Sequence, residues 1–160
     1  MSESIIEPQI EARPEVHLAV VRDTVAFERI PELYHRAYPA IFGALAAANI
    51  TPAAAPMGVM HGAPTAAGLD LSVAVPLSEP FAHADDTVSA ETLPAARTAT
   101  LLLRGDYNGL AAGYERLNAW ILDQGETSAG ISWEQYLTEP APDGDPALNE
   151  TLLGVQLTAV

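Results

Sequence analysis

The chain contains no cysteine and no lysine. Without cysteine there is no disulfide framework and no thiolate chemistry, and a zinc site loses its commonest ligand. Without lysine, all positive charge rests on seven arginines against 21 carboxylates, a formal net charge of −14. Such a surface repels phosphate backbones, so direct nucleic-acid binding is not expected. No apolar run approaches the ~20 residues that a membrane span needs, and no membrane association is expected. The stretch Met1 to Glu15 is acidic and carries two prolines, without the basic flank and apolar run of a signal peptide. The expected location is the cytosol. The histidines, His17, His35, His61 and His83, are scattered singly, and none forms an HxxH or HExxH pair. Neither a metal site nor a cofactor is expected. There is no glycine-rich phosphate loop and no nucleophile elbow around a serine.

What is present is 160 residues, 49% of them apolar, enough for a real core in one domain or two small fused halves. The negative field draws cations toward any cleft lined by carboxylates, or simply keeps the protein soluble.

The order of elements suggests an internal duplication. In the second half, Ala96 to Leu103 reads as a strand, and Arg104 to Gly109 as a turn. Leu110, Tyr114, Leu117 and Ile121 then fall at helical spacing and predict a helix from Gly109 to Gln124, with Gly125 as its cap. A strand over 131–137, an Asp/Pro/Gly loop from Glu139 to Pro146 and a strand from Thr151 to Ala159 follow. The first half repeats this order: a strand at His17 to Val21, then a helix ending near Ala48. Strands follow at Met57 to Met60 and Leu69 to Val75. Pro39 must either kink the first helix or start it. An offset of 76 places Tyr38 on Tyr114, Gly58 on Glu134 and Met60 on Tyr136; an offset near 81 then places Leu71 on Leu152. One more strand is expected from Val88 to Leu93. The expected fold is α+β: duplicated β-α-β-β units with pseudo-twofold symmetry, an antiparallel sheet and two main helices on one side. The first repeat runs from about 15 to 77, a connector from 78 to 86, and the second repeat from about 87 to 160, all within a single domain. A groove between the units is the expected ligand site.

The segment Ile131-Ser132-Trp133-Glu134-Gln135-Tyr136-Leu137 carries the chemistry. Alternate side chains share a face of a strand, so Glu134 and Tyr136 point one way and Trp133 the other. If the Glu134 face is the inner one, a carboxylate stands beside an aromatic ring in apolar surroundings. Burying it is costly unless something pairs with it, and a cationic aromatic ligand is one natural partner.

Four segments of the second half resemble the GyrI-like small-molecule-binding domain, also found as the effector-binding domain of AraC- and MerR-type drug-responsive regulators and related in fold to the SOUL proteins. They are Glu91-Thr92-Leu93-Pro94-Ala95-Ala96-Arg97, Gly105-Asp106-Tyr107, Tyr114 to Ile121, and Glu134-Gln135-Tyr136-Leu137-Thr138-Glu139-Pro140. Asp106 stands where the family usually has proline. The resemblance implies that Glu134 is the pocket acid, and that Tyr136 and Tyr107 reach the ligand. Trp120 forms a wall or anchors the helix. Met60 and Tyr38 of the first half and Phe81 of the connector are further candidates for the ligand site, although Tyr34, Tyr38 and Phe42 also read as a packing stripe.

Two functions stay open. One is a stand-alone module that binds hydrophobic, often cationic, aromatic molecules and acts as a sequestering or sensing protein. The other is a hydrolase of strained electrophilic natural products, with Glu134 as general acid/base and Tyr136 or Tyr107 as donor. Haem binding by analogy with the SOUL proteins is disfavoured because the second half has no histidine. A protein partner or a homodimer is left open.

Overall fold

The structure, a computed structural model, describes residues 7–105, 109–138 and 149–158. Tyr107 and the whole Asp/Pro/Gly loop from Glu139 to Pro146 fall outside them. Within the described residues the chain is α+β and forms two compact units. One is made of Pro14–Ala95, the other of the chain up to Arg13 together with the chain from Ala96 onward.

The Pro14–Ala95 unit holds β2 (Val16–Val25), α1 (Ile30–Ala47), β3 (Met57–His61), β4 (Leu69–Leu77) and β5 (Ser89–Leu93). Its four strands are antiparallel in the order β3-β4-β2-β5. On one sheet face Ala19, Val21, Leu71, Val73 and Val75 meet Leu33, Ala37, Ile41 and Leu45 of α1 in one buried cluster. Each valine, leucine or isoleucine among them contributes about 1.5–3 kcal/mol when fully removed from water. The other face is mixed: Leu18, Val20, Met57, Val59 and Ala74 are buried on it, beside a polar group. Arg22 makes a two-pronged pair with Asp70, and the fully buried Ser72 donates to Glu91 Oε1 at 2.9 Å, with His61 Nε2 also 2.9 Å from its oxygen.

The second unit holds β1 (Gln9–Arg13), β6 (Ala96–Arg104), α2 (Leu110–Asp123), β7 (Ser128–Tyr136) and β8 (Glu150–Leu157). Its antiparallel order is β1-β6-β8-β7. Leu101, Leu103, Leu153 and Val155 of the sheet pack on Leu117 and Ile121 of α2. A Cβ at Gly113 would stand 3.0 Å from Leu153 Cδ1, so this glycine lets the helix approach the sheet closely.

Both helices end alike. Asn49 (φ 58°) and Gly125 (φ 73°) take the left-handed conformation, and the next N–H returns to the carbonyl five residues back, Ile50 to Leu45 and Glu126 to Ile121. Helix α2 begins within a residue of the expected Gly109, and of the two readings of Pro39 the one inside the helix holds. Helix α1 starts at Ile30 with Pro31 in its first turn, and Pro39 lies inside it rather than opening it. The proline deprives the His35 carbonyl of its helical donor, which is affordable because both residues face solvent.

Two sequence expectations are corrected. First, the edge strands cross the expected repeat bounds: β1, not expected as a strand, lies before the first repeat and pairs with β6, whereas β5, expected as a strand at the start of the second repeat, pairs with β2. Second, β1, β2 and β4 correspond to β5, β6 and β8 at an offset of 80, not 81, while β3 corresponds to β7 at the expected 76: Val21 opposes Val73 where Leu101 opposes Leu153, and Val16 opposes Leu93 where Ala96 opposes Arg13. An odd slip would exchange the two faces of the strand and turn Leu71 and Val73 out of the core.

Candidate functional site

Strand β7 presents Glu134 opposite Leu153 and Tyr136 opposite Thr151. Directly opposed residues share a face, so Glu134, Tyr136 and Thr151 lie on the same face as Leu153, the face that α2 covers. The acid is on the inner side of its sheet.

Two phenols hold it. Tyr136 donates to Glu134 Oε1 at 2.6 Å, from two residues along the same strand. Tyr114, from α2, donates to Oε2 at 2.9 Å and lies 3.4 Å from the Trp133 carbonyl. The helical stripe Leu110, Tyr114, Leu117, Ile121 puts Tyr114 over the sheet, one turn before the deeply buried Leu117. Glu134 keeps some accessible surface yet is crowded by protein on most sides, as a carboxylate in a recess would be. Burial pushes its carboxyl above the ordinary carboxylate range, and the two phenol hydrogen bonds, which favour the ionised form, offset part of that.

Among the described residues no cation pairs with this acid. Each of the seven arginines is paired elsewhere: Arg13 with Glu11, Arg22 with Asp70 and Glu91, Arg29 with Glu32, Arg36 with Asp23, Arg97 with Glu126, Arg104 with Glu150, Arg116 with Glu7. Among the described residues Glu134 is thus a largely desolvated carboxylate whose side-chain donors are two neutral phenols. Such a group can accept an external cation, or can hold a proton at higher pH than an ordinary carboxylate. Among the described residues no group of His, Asp or Glu is placed to hold a metal ion.

The opposite face of β7 carries Trp133, 1% exposed. It lies flat over Gly154, where a Cβ would overlap its indole ring, and the Arg13 guanidinium sits 4.9 Å from the ring centroid. Trp133 therefore packs behind the site.

The other sequence-singled residues divide as follows. Trp120 is partly buried against the α2 core cluster. Met60, Tyr38 and Phe81 belong to the Pro14–Ala95 unit, where all three pack on the α1 core cluster; Tyr38 also stacks between Tyr34 and Phe42, with centroids 5.7 and 6.0 Å away. Tyr107 lies outside the described residues. Sequence reasoning placed Tyr114 in a helical stripe without giving it a role. The available signal was its place in the stripe, on the face that packs against the strands.

The sequence profile of the GyrI-like small-molecule-binding domain matches residues 6–155. No curated protein sequence matches the chain. Among solved structures, the EcmrR C-terminal domain superposes with a TM-score of 0.81 at 19% identity, covering 96% of this chain and 98% of that one. In the complex of EcmrR with DNA, this chain spans only 58% of the EcmrR chain, with a TM-score of 0.80. SAV2435 bound to tetraphenylphosphonium gives 0.68 at 14% identity, covering 96% and 94%. A hydrolase from Listeria innocua gives 0.67 at 11% identity, covering 95% and 92%. At these identities the superpositions speak for the fold, while the profile spans almost the whole chain. The chain belongs to the GyrI-like small-molecule-binding domain family.

Proposed function

We propose that this protein binds hydrophobic organic cations, aromatic ones above all, with Glu134 as the counter-charge, and that it sequesters or senses them. The observation that carries this reading is the acid itself: it is held between Tyr114 and Tyr136, while every arginine is engaged with another carboxylate. An arriving cation would supply the missing charge partner, and the aromatic faces beside it would add about 0.5–2 kcal/mol of cation–π attraction. Binding would restore the ionised form of Glu134 and so release a proton wherever the empty site holds one. The net charge of −14 favours cation entry and disfavours a direct role on DNA, so sensing would pass through a protein partner. The likeness in fold to SAV2435, solved with tetraphenylphosphonium, is consistent with this ligand class.

The test is a fluorescence titration with rhodamine 6G, comparing wild type and Glu134→Gln. Saturable micromolar binding that weakens about tenfold in the variant, about 1.4 kcal/mol, is expected. Equal affinities would remove the counter-charge role.

A second reading is hydrolysis of a strained electrophile. It draws on the raised proton affinity of Glu134 and the 2.6 Å Tyr136 donor, a pair suited to general acid/base work. Recovery of the ligand intact after stoichiometric binding would set this reading aside. Turnover lost in Glu134→Gln would favour it.

A further inference from the structure

Thr151 occupies the same inner face as Glu134 and Tyr136, directly across from Tyr136 on β7 and from Leu103 on β6. It is 1% exposed, and among the described residues its Oγ1 has no hydrogen-bond partner. Threonine hydroxyls elsewhere in the same sheet behave differently: Thr98 Oγ1 donates to the Ala96 carbonyl at 3.1 Å, and Thr100 Oγ1 approaches Glu11 Oε1 at 3.4 Å. A buried hydroxyl without a partner is a net cost to the fold. Valine has the same outline and at least the same strand preference, so packing gives no reason for the oxygen. The duplication supplies an internal control. At the offset of 80, the position of Thr151 corresponds to Leu71, a fully buried core residue that opposes Met60 as Thr151 opposes Tyr136. The fold accepts an aliphatic side chain at this register, and only the repeat with the acid carries a hydroxyl.

We infer that Thr151 is a second polar contact of the ligand site. This inference rests on the cation-binding reading of Glu134 and names the ligand class more narrowly: an organic cation that bears a hydroxyl, carbonyl or amide at a distance from its charged centre. Thr151 is the diagonal cross-strand neighbour of Glu134, which places the two side chains on the order of 7–8 Å apart along the sheet. A cation that takes over Glu134 Oε1 displaces the Tyr136 phenol that now holds it. That ring is the cross-strand neighbour of Thr151, so its departure opens the hydroxyl to the ligand. The hydroxyl can then donate to a carbonyl or exchange a hydrogen bond with another hydroxyl.

The experiment is isothermal titration calorimetry of wild type, Thr151→Val and Glu134→Gln with three probes: tetraphenylphosphonium, and the (3-hydroxyphenyl)- and (4-hydroxyphenyl)triphenylphosphonium ions. Thr151→Val is expected to leave tetraphenylphosphonium affinity unchanged within twofold. It is expected to weaken at least one hydroxylated probe about 3- to 10-fold, the size of one hydrogen bond. Its melting temperature is expected to equal or exceed that of wild type, because a buried unpaired oxygen has gone. An unchanged preference for both hydroxylated probes, with binding still sensitive to Glu134→Gln, overturns the Thr151 role and leaves the counter-charge intact. A variant that melts several degrees lower and loses all three probes equally also overturns it, since the hydroxyl would then serve the fold. If wild type binds none of the three, the cation reading falls and the Thr151 inference falls with it.

Discussion

Glu134 and Gly58 stand at the same register of two units built alike, the one opposite Leu153, the other opposite Val73. Around Glu134 the repeat places Tyr136, Tyr114 and Thr151; around Gly58 the matching positions are Met60, Tyr38 and Leu71. Three of four polar groups are thus replaced by apolar or absent side chains. The core beneath is nearly unchanged, with Leu117 and Ile121 answering to Ile41 and Leu45. The difference teaches that the fold does not require the acid. What the acid costs in desolvation is confined to one unit, where two phenols reduce it, and such a concentrated cost points to a site rather than to a framework.

The comparison can be broken most sharply by transplanting the acid. Gly58→Glu would introduce a carboxylate at a buried position whose strand offers Met60 in place of a tyrosine. A loss of stability of about 3–5 kcal/mol is expected in urea denaturation. A loss below about 1 kcal/mol would mean that the scaffold tolerates charge at either register. Next comes the opposite face of the same strands. Gly154→Ala forces a Cβ into the Trp133 ring, whereas the matching position is already Ala74, with Met57 beside it. A cost of about 3 kcal/mol is expected. Adding Trp133→Met, which copies the other repeat, should recover most of it; no recovery would show that the clash lies elsewhere.

Smaller effects sharpen the account of Glu134 itself. Its carboxyl binds protons more tightly when folded than when unfolded, so between the ordinary value near 4.3 and its raised folded value the native state holds more protons. Native stability is therefore lost as pH rises through that window. Glu134→Gln should melt higher than wild type at pH 7 and 8, and the gap should vanish below about pH 4. A gap that persists in acid would deny the desolvation account. Tyr114→Phe, which removes one of two donors, should cost about 1 kcal/mol at pH 7 and raise the apparent proton affinity of Glu134 further. Titration of the Glu134 carboxyl by NMR would check it, and a downward shift would contradict the assigned donor role.

Much of this was open to reading in the sequence, because periodicity reports faces. The alternation in 131–137 separated Glu134 and Tyr136 from Trp133, and the spacing of Leu110, Tyr114, Leu117 and Ile121 located α2 within a residue at each end. Strand β1 was missed although Ile10 and Ala12 alternate with Gln9, Glu11 and Arg13, since flanking Pro8 and Pro14 and the surrounding acidity resemble a tail. The Tyr114–Glu134 hydrogen bond joins residues 20 apart through tertiary packing, which no local pattern encodes. Thr151 was invisible for a related reason: an unpartnered hydroxyl is defined by what surrounds it, and β-branched residues in strands attract no notice. The offset of 81 failed because similarity of apolar letters, Leu-Leu against Leu-Ser, cannot distinguish the two faces of a strand.

The exchanged edge strands have a consequence for how the molecule can be divided. The connector at 78–86 looks like the seam between two repeats, but cutting there would separate β1 from β6 and β5 from β2, so the two fragments would have to complement one another through intermolecular ladders. The natural scissors points lie elsewhere. Arg13 and Ala96 are register partners on adjacent strands, and the whole of Pro14–Ala95 emerges from that point and returns to it. In topological terms the unit that has glycine in place of Glu134 is an insertion at the tip of a β-hairpin. A two-residue turn joining Arg13 to Ala96 would excise it while keeping every backbone ladder of the Glu134 sheet that these strands make among themselves.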